Sequence, residues 1–170
     1  MRRDKSGKVS SRAAGGFSAL AVVGMIGAAI MVEPELVTRW EGRRLDPYQD
    51  IVGVWTVCYG ETRGIERRRH TPAECSAMLY RAKFEDFGPA VIDCTPGIAD
   101  KPPVLLASIS LAYNIGSAAY CRSTVARRFN AGDVKGGCDA FLMWRFAGGR
   151  EVRGLLNRRR DERRICLEGA

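Results

Sequence analysis

Two carboxylates and one hydroxyl stand at short intervals in the first third of the chain. Eight residues separate Glu41 from Asp50, and five separate Asp50 from Thr56. The alternating run over residues 51–57 predicts a β-hairpin that follows the end of a helix. Such a hairpin would fold Asp50 and Thr56 over the end of the helix that carries Glu41. A cleft lined by two carboxylates and a hydroxyl has the groups that glycoside hydrolysis requires.

The surroundings of these residues suggest a role for each. Glu41 follows Trp40 at the end of a predicted apolar helix, and burial beside apolar groups lets a carboxyl keep its proton and act as general acid. Asp50 would remain ionised, stabilise an oxocarbenium-like transition state and orient water, and Thr56 would help to hold that water. These roles predict an inverting hydrolysis with carboxyl groups roughly 6.5–9.5 Å apart. The alternative is that Glu41 and Asp50 are ordinary helix-end and turn residues.

Four separated motifs extend this pattern along the chain. They are the frame EG…Y.D..GVWTVCYG around Glu41–Gly60, AYNIGS at Ala112–Ser117, STVARRFNAGD at Ser123–Asp133, and WRFAGGREVRGLLNRRRDE at Trp144–Glu162. Together they cover roughly residues 36–167, and in this order they resemble the phage-type lysozyme family, glycoside hydrolase family 24. The resemblance implies hydrolysis of the β-1,4 bond between N-acetylmuramic acid and N-acetylglucosamine in peptidoglycan.

The same resemblance implies an α+β, mainly helical, lysozyme-like fold with a small β-hairpin lobe beside the cleft and a helical lobe. It also implies substrate contacts from Tyr48, Asn114 and Arg158. One departure stands at Val104, where the family often carries Gln, so one polar contact to substrate is expected to be missing. Asn114 could instead satisfy buried backbone groups. Arg158, with the arginines at positions 159 and 160, could instead belong to a solvated basic face.

Local patterns predict the helices beyond the hairpin. Thr71-Pro72-Ala73-Glu74 is a capping box that should open a helix running to about Phe87. Residues 104–113 form an apolar run that fits a buried helix or strand, and the resemblance makes it the central helix. Prolines at positions 89, 96, 102 and 103 punctuate the segment before it. The remaining helices are expected from a Ser123 or Thr124 cap to about Asn130, from an Asp133 cap through Trp144, and from about Arg150 to Cys166.

The N-terminus divides the chain into two regions, 1–32 and a catalytic domain over 33–170. Residues 1–12 carry five basic side chains and one acidic one, and residues 13–32 carry no charge. Twenty residues just suffice to cross a bilayer as a helix, and the basic flank predicts a cytoplasmic N-terminus and an exported body. Eleven of the twenty are Ala, Gly or Ser, so the segment is only weakly apolar.

Three membrane interpretations of residues 13–32 compete with a buried soluble helix, which explains the basic flank poorly. A permanent anchor would usually be richer in large apolar residues, and a signal peptide could be cleaved near residues 27–29. The favoured interpretation is a signal-anchor-release segment, as in one subgroup of phage endolysins. It predicts export by the Sec route, residence in the host inner membrane and then release into the periplasm.

Six cysteines, an even number, indicate disulfides made after export. Six cysteines allow fifteen pairings. Spacing and the resemblance together suggest Cys58–Cys75, Cys94–Cys121 and Cys138–Cys166. A zinc site is disfavoured because the chain has no CxxC pair and His70 is its one histidine. No metal or cofactor is therefore expected, and His70 receives no catalytic role.

The net charge of +8 favours polyanionic partners such as cell wall, anionic lipid or nucleic acid, although it could serve solubility alone. Nucleic acid is disfavoured because no aromatic stacking pattern accompanies the arginines. The expected partners are peptidoglycan and, before release, the inner membrane through residues 13–32, with the protein a monomer. The predicted function is that of an endolysin in host cell lysis. The alternatives are a lytic transglycosylase, which would need Glu41 only, and a non-catalytic wall-binding or structural protein.

Overall fold

Helices form most of the structure, and two short β-hairpins interrupt them. The computed structural model describes residues 18–32, 44–50, 53–62 and 64–170. Helix α1 (Ala19–Val32) precedes strands β1 (Arg44–Gln49) and β2 (Trp55–Cys58). The following helices are α2 (Pro72–Arg81), α3 (Gly88–Cys94), α4 (Pro102–Ile115), α5 (Ser117–Cys121), α6 (Thr124–Asn130) and α7 (Val134–Ala140). Strands β3 (Phe146–Ala147) and β4 (Arg150–Glu151) then lead to α8 (Arg153–Glu168).

Helix α4 is the centre of the helical lobe. Each of its residues from Val104 to Ala112 is buried. Helices α8 and α1 pack along it, and α3 and α5 contact it as well. A helix surrounded in this way is apolar on every face, which is why its sequence pattern alone could not separate helix from strand. The predicted central helix is therefore confirmed.

The predicted caps lie where the sequence places them. Thr71 Oγ1 accepts from the Glu74 backbone N–H at 3.2 Å, and a Glu74 carboxylate oxygen accepts from the Thr71 N–H at 2.7 Å. The side-chain oxygens of Ser123 and Asp133 likewise accept from backbone N–H groups in the first turns of α6 and α7. Because each cap satisfies backbone donors that a helix start leaves open, it fixes where the helix begins.

Three helix boundaries differ from the prediction. Beyond α2 the chain continues through a π-helical turn, Ala82–Phe87, directly into α3, whose first turn contains Pro89. Helix α7, expected to run through Trp144, ends at Ala140, and a 3₁₀ turn, Phe141–Trp144, follows it. The last helix begins at Arg153 and not near Arg150, because Arg150 belongs to β4. Gly148 and Gly149 have φ of +56° and +77°, and this left-handed pair closes the β3–β4 hairpin.

The first hairpin is antiparallel, as predicted. Tyr48 pairs with Thr56 and Gln49 with Trp55, and a register irregularity lies between Arg44 and Tyr48. The loop between the strands includes Gly53, whose φ is +79°. This hairpin is the small β-lobe beside a helical body.

Three disulfides join the six cysteines in the pairs suggested above. Cys58–Cys75 connects β2 to α2, Cys94–Cys121 connects the ends of α3 and α5, and Cys138–Cys166 connects α7 to α8. Each bond closes a loop of the unfolded chain, so each should contribute about 2–4 kcal/mol to the free energy of unfolding.

Helix α1 lies against α4 and α3. Val22 is 8% exposed and Met25 packs against the core, whereas Leu20 and Val23 are 86% and 68% exposed. Residues 1–17, which include the first five positions of the predicted membrane segment, lie outside the described residues. No helix within the described ranges combines the length and apolar character needed to cross a bilayer.

A buried ionic cluster joins α8 to α4. The Glu162 carboxylate is fully buried between Arg158, whose Nε lies 3.2 Å from Oε1, and Arg159, whose Nε lies 3.0 Å from Oε2. The Ser110 hydroxyl on α4 donates to Oε1 at 2.7 Å. Burial raises the pKa of the Glu162 carboxyl, and the two guanidinium groups oppose that shift. The cluster holds the last helix in one register on the central helix.

We predict that Glu162→Gln destabilises the protein by about 3–5 kcal/mol, because it removes the carboxylate that two buried guanidinium groups share. Urea unfolding of both proteins measures the difference. The control is Glu168→Gln on the same helix, where Arg164 pairs with Glu168 at 2.7 Å and both side chains are about half exposed. That change should cost less than about 0.5 kcal/mol. Equal losses from the two variants would contradict the structural role of the buried cluster.

Candidate active site

Asp50 closes the loop of the first hairpin. Its Oδ1 accepts from the Val54 N–H at 2.9 Å, its own N–H donates to the Val54 carbonyl at 2.9 Å, and its carbonyl accepts from the Gly53 N–H at 3.0 Å. The bond from the Val54 N–H fixes the orientation of this carboxylate. Asp50 is a turn residue in structure, and its predicted catalytic role stays a prediction.

Thr56 lies in β2, directly across from Tyr48 in the ladder. Its side chain is only 5% exposed, and its hydroxyl donates to the Val54 carbonyl at 3.1 Å. Since the hydroxyl proton is used in this bond, the oxygen presents its lone pairs to a donor such as water. Val54 thus orients both predicted groups, Asp50 through its N–H and Thr56 through its carbonyl.

Tyr48 and Asn114 occupy different parts of the fold. The Arg44 guanidinium lies 4.2 Å from the centroid of the Tyr48 ring, so a cation covers one face of that ring on β1. Asn114 lies at the C-terminal end of α4, is exposed, and accepts from Arg159 Nη2 at 3.0 Å. Glu41, the predicted general acid, lies outside the described residues.

Arg158 is 5% exposed, donates to the Ser110 carbonyl at 3.3 Å and belongs to the ionic cluster around Glu162. Its neighbour Arg159 is fully buried, whereas Arg160 is exposed. The solvated basic face that the sequence allowed therefore includes Arg160 but neither of the other two. Arg158 pairs with the buried Glu162 inside the helical lobe, and its predicted contact with substrate stays a prediction.

A pocket of about 180 Å³ lies where the β-hairpin meets the helices. The chain leaving β2 forms one wall, from Tyr59 to Thr62, and residues of α2, the π-helical turn and α4 form the others, including Met78, Phe87 and Tyr113. Carboxylates also line it, at Glu61 and Asp86. Aromatic faces suit the apolar faces of sugar rings, and carboxylates suit their hydroxyl groups.

Tyr113 connects the first hairpin, which carries Thr56, with the end of α4, which carries Asn114. Its hydroxyl donates to the Tyr59 carbonyl at 3.3 Å, and its ring packs edge-on against Phe87 with centroids 5.4 Å apart. Tyr59 follows Thr56 by three residues, and Tyr113 immediately precedes Asn114. Neither tyrosine is among the predicted site residues, although each is an aromatic side chain next to residues of a quoted motif.

The described part of the chain contains no cluster of His, Cys, Asp and Glu that could hold a metal ion. His70 is 2% exposed, and its backbone N–H donates to the Leu45 carbonyl at 2.9 Å. His70 therefore helps to attach the loop after the hairpin to β1.

Comparison with known proteins places this arrangement among enzymes of bacteriophages. The chain is 39% identical over 153 residues to the SAR-endolysin of Enterobacteria phage P21. The matched region covers 84% of this chain and 90% of that endolysin. The solved endolysin from Escherichia coli O157:H7 phage FAHEc1 is 30% identical, with a TM-score of 0.63 over 80% of this chain and 90% of that one. P22 lysozyme is 29% identical, with a TM-score of 0.59 over 89% of this chain and 97% of that one.

The family model described as phage lysozyme matches residues 38–162, a span that contains the hairpin with Asp50 and Thr56, the pocket and the cluster around Glu162. The chain therefore belongs to the phage lysozyme family.

Proposed function

We propose that the protein is an endolysin of the muramidase type, which hydrolyses the β-1,4 bond between N-acetylmuramic acid and N-acetylglucosamine in peptidoglycan and lyses a host cell. The observation that carries this proposal is the continuity of the hairpin with the pocket. Asp50 and Thr56 are held by Val54, and three residues further on the same chain begins the aromatic wall at Tyr59. Neither Asp50 nor Thr56 lines the pocket itself, so the proposal requires a glycan that extends from this wall to the hairpin.

The proposed reaction divides proton transfer between two carboxyl groups. Glu41 donates a proton to the leaving oxygen, and the Asp50 carboxylate stabilises the positive charge that develops on the sugar. A water molecule held by Asp50 and the Thr56 oxygen attacks the anomeric carbon from the opposite face and passes its proton to Asp50. One displacement of this kind inverts the anomeric configuration.

The partners proposed for the enzyme are anionic. The chain has a net charge of +8, and peptidoglycan and its envelope carry negative charge that attracts such a protein. We propose that the enzyme acts as a monomer.

We also propose that residues 13–32 first lie in the inner membrane and control activity by leaving it. Two features support this. Helix α1 has a docking place on α4 in the folded body, so the segment can exist outside a bilayer. Only eight residues separate its end at Val32 from Glu41, so a segment held in the membrane restricts where Glu41 can dock.

The first prediction from this function concerns Glu41. Purified Glu41→Gln should cause no measurable turbidity loss in outer-membrane-permeabilised Gram-negative cells, whereas the wild-type protein should lyse them, because glutamine cannot donate the proton. Glu168→Gln, which removes an exposed carboxylate of α8, serves as the control and should lyse normally. Lysis by Glu41→Gln would remove that residue from catalysis. Reducing ends among the products indicate hydrolysis, whereas 1,6-anhydro ends would establish a lytic transglycosylase.

A second prediction separates the two roles of Asp50. Asp50→Asn keeps an oxygen that can accept from the Val54 N–H, so the loop should keep its structure while the charge is lost. We expect kcat to fall by about 10²-fold or more while Tm stays within about 2 °C of wild type. Asp50→Ala loses both features and should lower kcat and Tm together. Full activity in Asp50→Asn would show that the residue serves only the turn.

A third prediction concerns release. The backbone of Gly24 has open space where a Cβ would lie, and Ala28 is exposed, so Gly24→Leu/Ala28→Leu should strengthen membrane retention without disturbing α1 on the folded body. After a protonophore dissipates the membrane potential, this variant should stay in the membrane fraction and lysis should be delayed. The control is Gly24→Ser/Ala28→Ser, which should be released at least as fast as wild type. Normal lysis by the leucine variant while it remains in the membrane would contradict the proposed control.

A further inference from the structure

Cys58 adopts a backbone conformation that is unfavourable for its side chain. Its φ is +60°, and it is the one non-glycine residue with positive φ among those that the structure describes. The left-handed region brings Cβ close to the following carbonyl oxygen, so residues other than glycine populate it rarely. Cys58 ends β2, two residues after Thr56. Some interaction must therefore hold this residue where it is.

The conformation of Cys58 sets the direction of the chain that leaves β2. Val57 and Glu61 exchange two backbone hydrogen bonds of 3.0 Å across a tight reversal, and the Gly60 N–H also donates to the Val57 carbonyl at 3.1 Å. Cys58 and Gly60, whose φ is +96°, are the two residues of that reversal with a left-handed backbone conformation. The reversal carries Tyr59–Thr62 into the pocket wall. A negative φ at Cys58 would redirect this wall and break the exchange between Val57 and Glu61.

The disulfide to Cys75 can hold Cys58 in its left-handed conformation. Cys58 is 1% exposed and Cys75 is fully buried, with their Cα atoms 4.9 Å apart. Cys75 lies in the first turn of α2, immediately after Glu74, whose side chain completes the capping box with Thr71. The anchor is therefore a helix start whose own position is fixed by its cap.

We propose that Cys58 and Cys75 are positioning residues for catalysis. Their bond holds the left-handed conformation at Cys58, and that conformation places the pocket wall from Tyr59 to Thr62. The inference rests on the proposed function in one respect, because it takes this wall as part of the active site. It assigns the bond a geometric role that is separate from its contribution to global stability.

Glycine separates the two roles, because it adopts φ near +60° without a penalty from Cβ. The experiment compares Cys58→Ala/Cys75→Ala with Cys58→Gly/Cys75→Ala, both of which lack the cross-link. The control is Cys138→Ala/Cys166→Ala, which removes another fully buried disulfide that does not line the pocket. Each variant of the full chain is assayed for kcat and KM on peptidoglycan fragments, well below the lowest Tm of the set.

The alanine pair should lose about tenfold in kcat, since alanine at position 58 favours negative φ. The glycine pair should recover kcat to within about threefold of wild type although it lacks the cross-link and its Tm stays below that of the wild-type protein. The control pair should lose Tm and keep kcat. Equal loss of kcat in the alanine and glycine pairs, or wild-type kcat in the alanine pair, would overturn the inference.

Two further outcomes have a defined interpretation: an alanine pair that does not fold, and a wild-type protein without activity. If the alanine pair does not fold, the glycine pair alone decides: kcat near wild type supports the inference and a tenfold loss overturns it. If the wild-type protein releases no fragments from peptidoglycan, the proposed function fails, and that result is distinguishable because the positioning test compares variants only with an active parent.

Discussion

The sharing of one buried carboxylate by two guanidinium groups is the constraint on which the helical lobe depends. The Glu162 carboxylate pairs with Arg158 and Arg159 of its own helix and accepts a hydrogen bond from the Ser110 hydroxyl on α4. Unpaired charges at full burial would cost several kcal/mol each, so the cluster tolerates one register of α8 on α4 and disfavours others. Apolar packing between the same helices would permit sliding at lower cost. The position of the C-terminal end of α4 is set in this way, and that end carries Tyr113, which lines the pocket.

From the end of α4 the constraint passes to the β-lobe through a few polar contacts. Asn114 accepts from Arg159, so the cluster reaches the surface at the rim of the helical lobe. Tyr113 donates to the Tyr59 carbonyl, which belongs to the reversal after β2. The hairpin is thereby attached at its exit by Tyr113 and by the disulfide of Cys58, while its loop is closed by Asp50. The two ends of the hairpin are fixed by different means, and Thr56 lies between them.

Sequence predicted the features that depend on neighbours along the chain. The hairpin follows from alternation, the capping box from Thr71 and Glu74, and the α6 cap from Ser123. Features that depend on distant partners were not accessible. Three consecutive arginines look solvated, and the burial of Arg158 and Arg159 becomes evident only when Ser110 on another helix contributes to the Glu162 site. Helical periodicity alone places Arg150 in the last helix, whereas the Gly148-Gly149 turn makes it part of a hairpin. The roles of Tyr59 and Tyr113 depend on a contact between residues that are 54 positions apart.

The composition of α1 suits the two environments that the proposed membrane release requires. A helix rich in large apolar residues would stay in a bilayer, and a polar helix would not enter one. Small residues reduce the free energy gained in lipid and also allow α1 to lie close to α4, where Val22 is buried. Docking leaves Leu20 and Val23 exposed, which is a cost in water that an ordinary surface helix would avoid. That cost is understandable if the same side chains must also face lipid. The proposed release requires that the free-energy difference between the two locations is small enough for a change in membrane potential to decide between them.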